Sequence, residues 1–200
     1  MCNTTLIDFF EELSYKFKMK EKIVIIGGGQ AAISCASQLR STGFDGKICI
    51  ICEENSYPYQ RPPLSKKFLT GDILEERLQL KKLDYYKANN IQVLLANRAM
   101  KIDRDSKKIY LQNGEKIDYT KLVITTGSRA KKEPLDKGDD YSNVFYLRNL
   151  YDAKNLKNAL HLGKRILIIG GGYLGLEVAS VCSSYGMNTM VVEGADRILK

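Results

Sequence analysis

Two glycine-rich turns contain the residues of this 200-residue chain whose types and spacing most clearly suggest chemistry. Their spaced positions follow G-x-G-x-x-A and G-x-G-x-x-G, and they are Gly27, Gly29 and Ala32, then Gly170, Gly172 and Gly175. In such a turn the first glycine permits a tight bend and the second lets the backbone approach a pyrophosphate. The third, small residue lets a helix pack closely on a strand. Each turn therefore predicts a binding site for a dinucleotide.

An acidic residue follows each turn at the distance that this chemistry requires. Glu53 lies 21 residues beyond Ala32, and Glu193 lies 18 residues beyond Gly175. A carboxylate at this point accepts hydrogen bonds from an adenosine ribose. Because no arginine adjoins either acid to take a 2′-phosphate, the pattern favours FAD or NAD over NADP. Arg197, four residues past Glu193, leaves NADP open at the second site.

The elements around the turns predict an α/β fold with two related units. Each turn follows an apolar run, 23–26 or 165–169, and precedes a helical pattern and a second apolar run that ends in the acid. Runs of this kind without polar alternation are typical of parallel strands buried on both faces. We therefore predict a Rossmann-like domain followed by the first βαβ unit of a second one.

Five short runs lie between the two units, separated by turn signals such as Asn113-Gly114. They cover residues 91–95, 99–103, 107–111, 115–117 and 122–125. They predict a small β-meander, at about residues 98–118, inserted in the first domain. The last run is expected to return to the parallel sheet.

Composition limits the remaining function classes. The chain has 44% hydrophobic and 27% charged residues, which is typical of a globular protein, and no stretch approaches the roughly 20 apolar residues of a membrane span. The net charge of +8 does not predict nucleic-acid binding, because the lysines are scattered and no basic run is interleaved with aromatics. An acidic protein partner or a lysine-rich solvated surface explains the charge better.

The cysteines are expected to be structural thiols. Cys49 and Cys52 form a C-x-x-C, but residues three apart on a strand face opposite sides of the sheet, so neither redox nor metal chemistry is predicted. The absence of a secreted disulfide framework favours a reducing cytoplasm. Residues 1–20 are predicted to be a leader whose apolar spacing fits a short amphipathic helix, and the acidic residues that interrupt it argue against a secretory signal.

One segment adds a family resemblance to this pattern. It is Tyr57-Pro58-Tyr59-Gln60-Arg61-Pro62-Pro63-Leu64-Ser65-Lys66, in which the prolines favour an extended entry and Ser65 is expected to open a helix. Together with the first turn, Thr126-Gly127 and the stretch 172–177, it resembles the flavin-dependent ferredoxin reductases. That family includes putidaredoxin, rubredoxin and dioxygenase ferredoxin reductases and apoptosis-inducing factor. The resemblance runs from about Lys22 to Lys200.

The resemblance implies FAD in the first unit, NADH in the second, and electron delivery to an iron–sulfur protein, which the basic charge suggests is acidic. It implies a FAD-binding domain at residues 21–150 and the incomplete start of an NAD-binding domain at 151–200. The FAD contacts that it implies are Gly27, Gly29, Ala31, Ala32, Glu53, Arg61, Lys66, Ala99, Thr126, Gly127, Arg129 and Arg148. The NADH contacts that it implies are Gly170, Gly172, Tyr173, Gly175 and Glu193, and Tyr173 would also shield the flavin. Glu177 would lie beside the flavin.

Lys66 and Glu177 are the residues that we expect to be catalytic. The hypothesis is an ion pair beside the flavin, with the ammonium and carboxylate within about 4 Å, because a cation there favours the reduced, anionic flavin. The alternative is that Lys66 is only a surface lysine at a helix N-terminus. The related disulfide reductases carry a cysteine pair in the helix after the ribose acid, and its absence here argues against dithiol chemistry.

Members of this family are about twice as long as this chain. We therefore expect a C-terminally truncated form in which apolar surface on Val178, Val181 and Val191 is exposed. Three interpretations stay open. The chain is part of an active reductase, alone or with a separately encoded C-terminal part; it is a non-catalytic nucleotide-binding remnant; or it is a basic interaction protein on the same fold.

Overall fold

A computed structural model describes residues 21–132, 141–161 and 163–200. The predicted leader, residues 1–20, lies outside the described part. The chain divides into two compact units. Of the described residues, the first unit contains 21–58 together with Lys81–Gly127, and the second contains Tyr59–Leu80 with those in the range Ser128–Lys200. Both units are discontinuous in sequence, and the division into domains at residue 150 stays a prediction.

The helices and strands of the described residues have the following bounds. The helices are α1 (Gln30–Ser41), α2 (Lys67–Thr70), α3 (Leu83–Ala88), α4 (Leu150–Ala159) and α5 (Tyr173–Ser184). The strands are β1 (Lys22–Ile26), β2 (Lys47–Ile51), β3 (Ile91–Leu94), β4 (Ala99–Asp103), β5 (Lys108–Leu111), β6 (Lys116–Asp118), β7 (Lys121–Ile124), β8 (Arg165–Ile169) and β9 (Asn188–Val192). Short 3-10 turns occupy Pro62–Ser65 and Glu75–Leu78.

The first unit is built on a parallel four-stranded sheet in the order β3-β2-β1-β7. Its two central strands are almost entirely buried, as their continuous apolar sequence predicts. The run at residues 91–95 was expected among the inserted strands, and this is wrong. It forms β3, which pairs in parallel with β2 through Ile48 and Ile91, because α3 provides the crossover that a parallel strand needs.

The inserted β-meander is confirmed as a three-stranded antiparallel sheet in the order β4-β5-β6. Ile102, Ile109 and Ile117 face one another across its strands. Ile109 is fully buried and belongs to the same core cluster as Val24 of β1. The meander therefore contributes one apolar face to the core of the first unit.

The second unit contains the predicted βαβ, in which α5 connects the parallel strands β8 and β9. Its strands alternate between exposed and half-buried residues. One face of β8, with Ile166 and Ile168, packs in the cluster that includes α5. The opposite face of the two strands is exposed, and it presents Leu167, Ile169, Met190 and Val192.

The expected exposure of the apolar helix residues in this unit is wrong. Val178 and Val181 of α5 are buried, and Val191 is half-buried. Leu69 of α2 and Leu156 of α4 belong to the same cluster and cover α5. Exposed apolar surface of this unit therefore lies on the strands, and on the helix it is limited to Tyr173 and Leu174 at the start of α5.

Two buried thiols lie in and just after β2. Cys49 and Cys52 are free and almost completely buried. Burial raises the pKa of Cys49 to about 11 and that of Cys52 to about 12. Because the thiolate is the reactive form, both side chains are suited to packing rather than to redox chemistry. Among the described residues, no helix has the length and apolar character to cross a bilayer, and no three metal-ligating side chains cluster.

Candidate functional site

The first glycine turn follows β1 and leads into α1. Gly27 has a φ of +118°, and its amide donates to the carbonyl of Ile51 at 2.9 Å. A β-carbon at Gly27 would overlap the carbonyl of Thr125, whereas one at Gly29 would meet nothing within 4 Å. The first amides of α1 lack intrahelical partners, and a helix N-terminus favours anions. The open space at Gly29 therefore fits the approach of a phosphate group.

The other residues predicted for FAD in this unit follow neighbouring strand ends. Ile26 is registered with Ile51 and with Ile124, so the carboxyl ends of β1, β2 and β7 share one edge of the sheet. The predicted residues that follow these three ends are Gly27, Gly29, Ala31, Ala32, Glu53, Thr126 and Gly127, and Ala99 begins β4. Ligands of open α/β sheets bind at this edge.

Arg98 lies beside the first acid, a contact that the sequence pattern does not predict. Arg98 Nε lies 3.7 Å from Glu53 Oε1, and both side chains are about half exposed. The expectation that no arginine adjoins the acids is therefore wrong at Glu53. The contact joins residues far apart in sequence, so only the position of Arg98 directly before the predicted contact Ala99 pointed to it.

The second glycine turn repeats the geometry of the first in its own unit. Gly170 has a φ of +106°, and its amide donates to the carbonyl of Val192 at 2.8 Å. A β-carbon at Gly172 would meet nothing within 4 Å, and one at Gly175 would overlap the carbonyl of Gly170. The turn thus has the open position that a pyrophosphate needs and the close packing of helix on strand.

The acid after β9 is held against this turn. Glu193 Oε2 accepts a hydrogen bond from the Gly171 amide at 2.7 Å, and Oε1 accepts one from the Ala195 amide at 2.9 Å. These backbone donors, Ala195 first, hold the pKa of the Glu193 carboxyl below its usual value of 4.5. The carboxylate is therefore ionised at neutral pH, as an acceptor for ribose hydroxyls must be.

The predicted ion pair between Lys66 and Glu177 is present in the second unit. Lys66 Nζ lies 2.7 Å from Glu177 Oε2, and the two side chains are 50% and 31% exposed. The Lys66 ammonium and then the Ser65 hydroxyl hold the pKa of the Glu177 carboxyl below its usual value of 4.5. The Glu177 carboxyl is therefore ionised at neutral pH, and the action of the pair on a flavin stays a prediction.

Ser65 has a different role from the one that the sequence predicted. It ends the 3-10 turn Pro62–Ser65, and its hydroxyl does not cap α2. The hydroxyl donates instead to Glu177 Oε2 at 2.6 Å. No local sequence pattern predicts this contact, because Ser65 and Glu177 are 112 positions apart in the sequence.

Basic side chains gather near the ion pair. Arg61 Nη1 donates to the carbonyl of Arg148 at 2.9 Å, and its guanidinium lies 5.2 Å from the centre of the Tyr59 ring. Arg148 Nε donates in turn to the carbonyl of Ser128 at 2.9 Å. Arg129, the residue after Ser128, is exposed. Backbone acceptors thus orient two of the three arginines that were predicted to contact FAD.

Two clefts of the second unit share the ion pair. One, of 340 Å³, is lined by residues that include Arg61, Lys66, Arg148, Tyr173, Leu174 and Glu177. The other, of 490 Å³, also contains Lys66, Tyr173 and Glu177. Tyr173 begins α5 and is 78% exposed. Three cations and one carboxylate give the smaller cleft a positive balance, which suits an anionic ligand.

Comparison with known proteins agrees with this arrangement. The family model described as pyridine nucleotide-disulphide oxidoreductase matches residues 21–200. The rubredoxin-NAD(+) reductase of Pseudomonas putida is 40% identical over 177 residues, which are 88% of this chain and 46% of that protein. Putidaredoxin reductase of the same organism is 36% identical over 182 residues, which are 90% of this chain and 43% of that protein.

A solved structure extends the similarity to three dimensions. The covalent putidaredoxin reductase–putidaredoxin complex matches with a TM-score of 0.87 and 36% identity, over 90% of this chain and 44% of that chain. Nearly the whole chain is therefore similar to these relatives, whereas it spans less than half of their length.

Proposed function

Since this chain belongs to the pyridine nucleotide-disulphide oxidoreductase family, we propose that it passes electrons from NADH through FAD to a small iron–sulfur protein. The similar proteins named above are reductases that act with rubredoxin or putidaredoxin. The net charge of +8 supports an acidic partner, because opposite charge steers the encounter of electron carriers. Buried free thiols support a place in the reducing cytoplasm.

We assign the FAD pyrophosphate to the first glycine turn. The residues present fit it, because Gly29 leaves the backbone accessible and the amides of α1 are free to donate. Glu53 would hold the ribose, and Thr126 and Gly127 lie at the same sheet edge. Bound FAD would supply the means to accept a hydride and release electrons singly.

NADH is assigned to the second glycine turn. Gly172 leaves the same open position, and the ionised Glu193 carboxylate is anchored one residue before it, at Gly171. A carboxylate so placed accepts hydrogen bonds from both ribose hydroxyls and repels a 2′-phosphate. We therefore propose a preference for NADH over NADPH.

The ion pair keeps a positive charge at a fixed point of the second unit. The Glu177 carboxylate, whose pKa is lowered, fixes the Lys66 ammonium at 2.7 Å. A fixed cation favours an electron-rich ligand over its oxidised form. Arg61, Arg129 and Arg148 add positive charge that suits a phosphate-bearing cofactor.

One observation carries the proposal: in both turns the second glycine faces open space within an intact strand–turn–helix–strand–acid unit. A pyrophosphate requires this opening directly before a helix N-terminus, where both units have it. The test is to add FAD to the chain, remove excess and record the flavin spectrum before and after anaerobic NADH. We expect bound flavin that NADH bleaches.

Two matched variants separate the sites. Gly29→Val fills the first opening and is expected to abolish FAD retention, whereas Gly172→Val should retain FAD but require at least about tenfold more NADH for bleaching, a loss of about 1.4 kcal/mol. Retention of FAD by Gly29→Val, or an unchanged NADH requirement in Gly172→Val, would contradict the assignment.

A second candidate function is nucleotide binding without electron transfer. The exposed apolar face of β8 and β9 favours it, because a parallel sheet is normally covered on both faces. In that case the chain retains FAD, but NADH leaves the flavin spectrum unchanged.

A further inference from the structure

Ser65 is unusual among the polar residues of this protein. Tyrosine and cysteine aside, it is the only buried polar or charged residue in the described part of the chain, with an exposed fraction of 3%. A buried hydroxyl is costly unless it is hydrogen-bonded. Its oxygen lies 2.6 Å from Glu177 Oε2 and 3.5 Å from the carbonyl oxygen of Pro62. Because the hydroxyl has one proton, the short contact identifies the carboxylate as its acceptor.

Two donors converge on this single carboxylate oxygen. Lys66 Nζ lies 2.7 Å from the same Oε2 atom. The Lys66 side chain is long and half exposed, and an exposed ion pair holds geometry weakly, because water competes and side-chain entropy is lost. The Ser65 side chain is short and buried, so it supplies a constraint that the ammonium does not.

We propose that Ser65 is a positioning residue, whose hydroxyl holds the Glu177 carboxylate at the point where the Lys66 ammonium meets it. Ser65 acts on any bound flavin only through this pair. The inference rests on the proposed function, which gives the placement of the Lys66 charge its purpose. It goes beyond that function because the position of the Lys66 charge then depends on Ser65, which is itself uncharged.

The experiment is a double-mutant cycle read by the carboxyl titration of Glu177. The side-chain carboxyl carbon is followed by NMR in the 200-residue chain without added nucleotide, for the parent, Ser65→Ala, Lys66→Met and the double variant. We expect Ser65→Ala to raise the pKa of Glu177. We also expect Lys66→Met to raise this pKa less in the Ser65→Ala background than in the parent. Without the Ser65 hydroxyl, the Glu177 carboxylate is less often within reach of the Lys66 ammonium. An unchanged pKa in Ser65→Ala, or equal effects of Lys66→Met in both backgrounds, overturns the proposal.

Two further variants exclude a general structural effect. Ser65→Thr keeps the hydroxyl and is expected to keep the low pKa; where this larger side chain prevents folding, the cycle alone decides. Ser184→Ala removes a hydroxyl from α5, the helix that carries Glu177; this hydroxyl donates to the carbonyl of Val181 at 2.7 Å. It should leave the Glu177 titration unchanged. An equal shift in Ser184→Ala would make the Ser65 effect a general property of α5 and overturn the proposal.

The titration and the flavin experiment test the role of Ser65 and the proposed function separately. The titration requires no flavin, so a chain that does not retain FAD refutes the proposed function and leaves the role of Ser65 at Glu177 to be decided by the cycle. A chain that retains FAD but shows no coupling refutes the role of Ser65 alone.

Discussion

The two glycine turns follow the same backbone path but have different surroundings. A β-carbon at Gly27 would overlap the carbonyl of Thr125, whereas one at Gly170 would meet nothing within 4 Å. The reason is the sheet beside each turn. In the first unit β7 pairs with β1 and brings Thr125 next to the turn, whereas in the described second unit β8 pairs only with β9.

At the third position, the second turn is the more crowded of the two. Ala32 in the first turn is fully buried, so its methyl group is accommodated between helix and strand. In the second turn a methyl group at Gly175 would overlap the Gly170 carbonyl. The second helix therefore begins closer to its strand, and it requires glycine where the first tolerates alanine.

The position shared by both turns is the open second glycine. Gly29 and Gly172 each directly precede a helix and both face free space, although the packing around them differs. Packing constraints thus vary with the neighbouring strands, while the opening toward a phosphate is retained. The difference separates residues that determine stability from residues that determine binding.

The largest expected effect comes from a methyl group at the third position of the second turn. Gly175→Ala forces backbone to move, and over-packing of this kind costs on the order of 3 kcal/mol. The reverse change in the first turn, Ala32→Gly, should cost only about 1 kcal/mol. Hydrogen exchange measured by mass spectrometry reports each unit separately. Equal acceleration in β8 and β1 peptides would show that the two helices approach their strands equally closely.

At the first position of the turns, a substitution to alanine should cost more stability in the first unit than in the second. Gly27 and Gly170 both have positive φ, so alanine at either strains the backbone by about 1–2 kcal/mol. Gly27→Ala adds the overlap with Thr125, so its total should be about 3 kcal/mol. Urea unfolding followed by exchange in each unit measures both costs. A larger loss in Gly170→Ala would mean that the second turn is the more crowded one.

The labelling rate of one buried thiol in each unit measures how readily that unit opens. Cys52 in the first unit and Cys182 in the second are both buried, and burial raises both pKa values, to about 12 for Cys52. Because the second sheet has one exposed face, we expect Cys182 to react with a thiol reagent roughly tenfold faster at pH 8. That ratio corresponds to a difference of about 1.4 kcal/mol in opening free energy. Faster labelling of Cys52 would assign the lower stability to the first unit.

Local spacing predicted the parts of the fold that depend on neighbours in sequence. The strands, the two turns and the βαβ unit follow from short apolar runs and glycine positions, which a single segment displays. The run at 91–95 was placed wrongly because an isolated short strand does not reveal which strand it pairs with. The covering of Val178 and Val181 by α2 and α4 is likewise a tertiary property.

The candidate site shows the same limit. Lys66 and Glu177 were paired in advance by the family resemblance, whereas their neighbour Ser65 was assigned to a helix start because serine commonly caps helices. The hydroxyl instead contacts a residue 112 positions away. The Arg98–Glu53 contact was missed for the same reason, since long-range pairs of polar side chains leave no periodic signal.

The smallest expected effect is a dependence of second-unit stability on pH. The pKa of Glu177 is lowered in the folded chain, so its stabilisation is complete above the unfolded value of about 4.5 and is lost as the pH falls through the lower folded value. Because the Lys66 side chain is half exposed, the loss should not exceed about 1 kcal/mol. Urea unfolding between pH 6 and pH 3, read by exchange in α5, measures it. Glu177→Gln removes the titrating group, so the acid-dependent part of the loss should shrink in this variant. An identical pH profile in Glu177→Gln would assign the acid sensitivity to other carboxylates, such as Glu193, whose pKa is also lowered by its backbone donors.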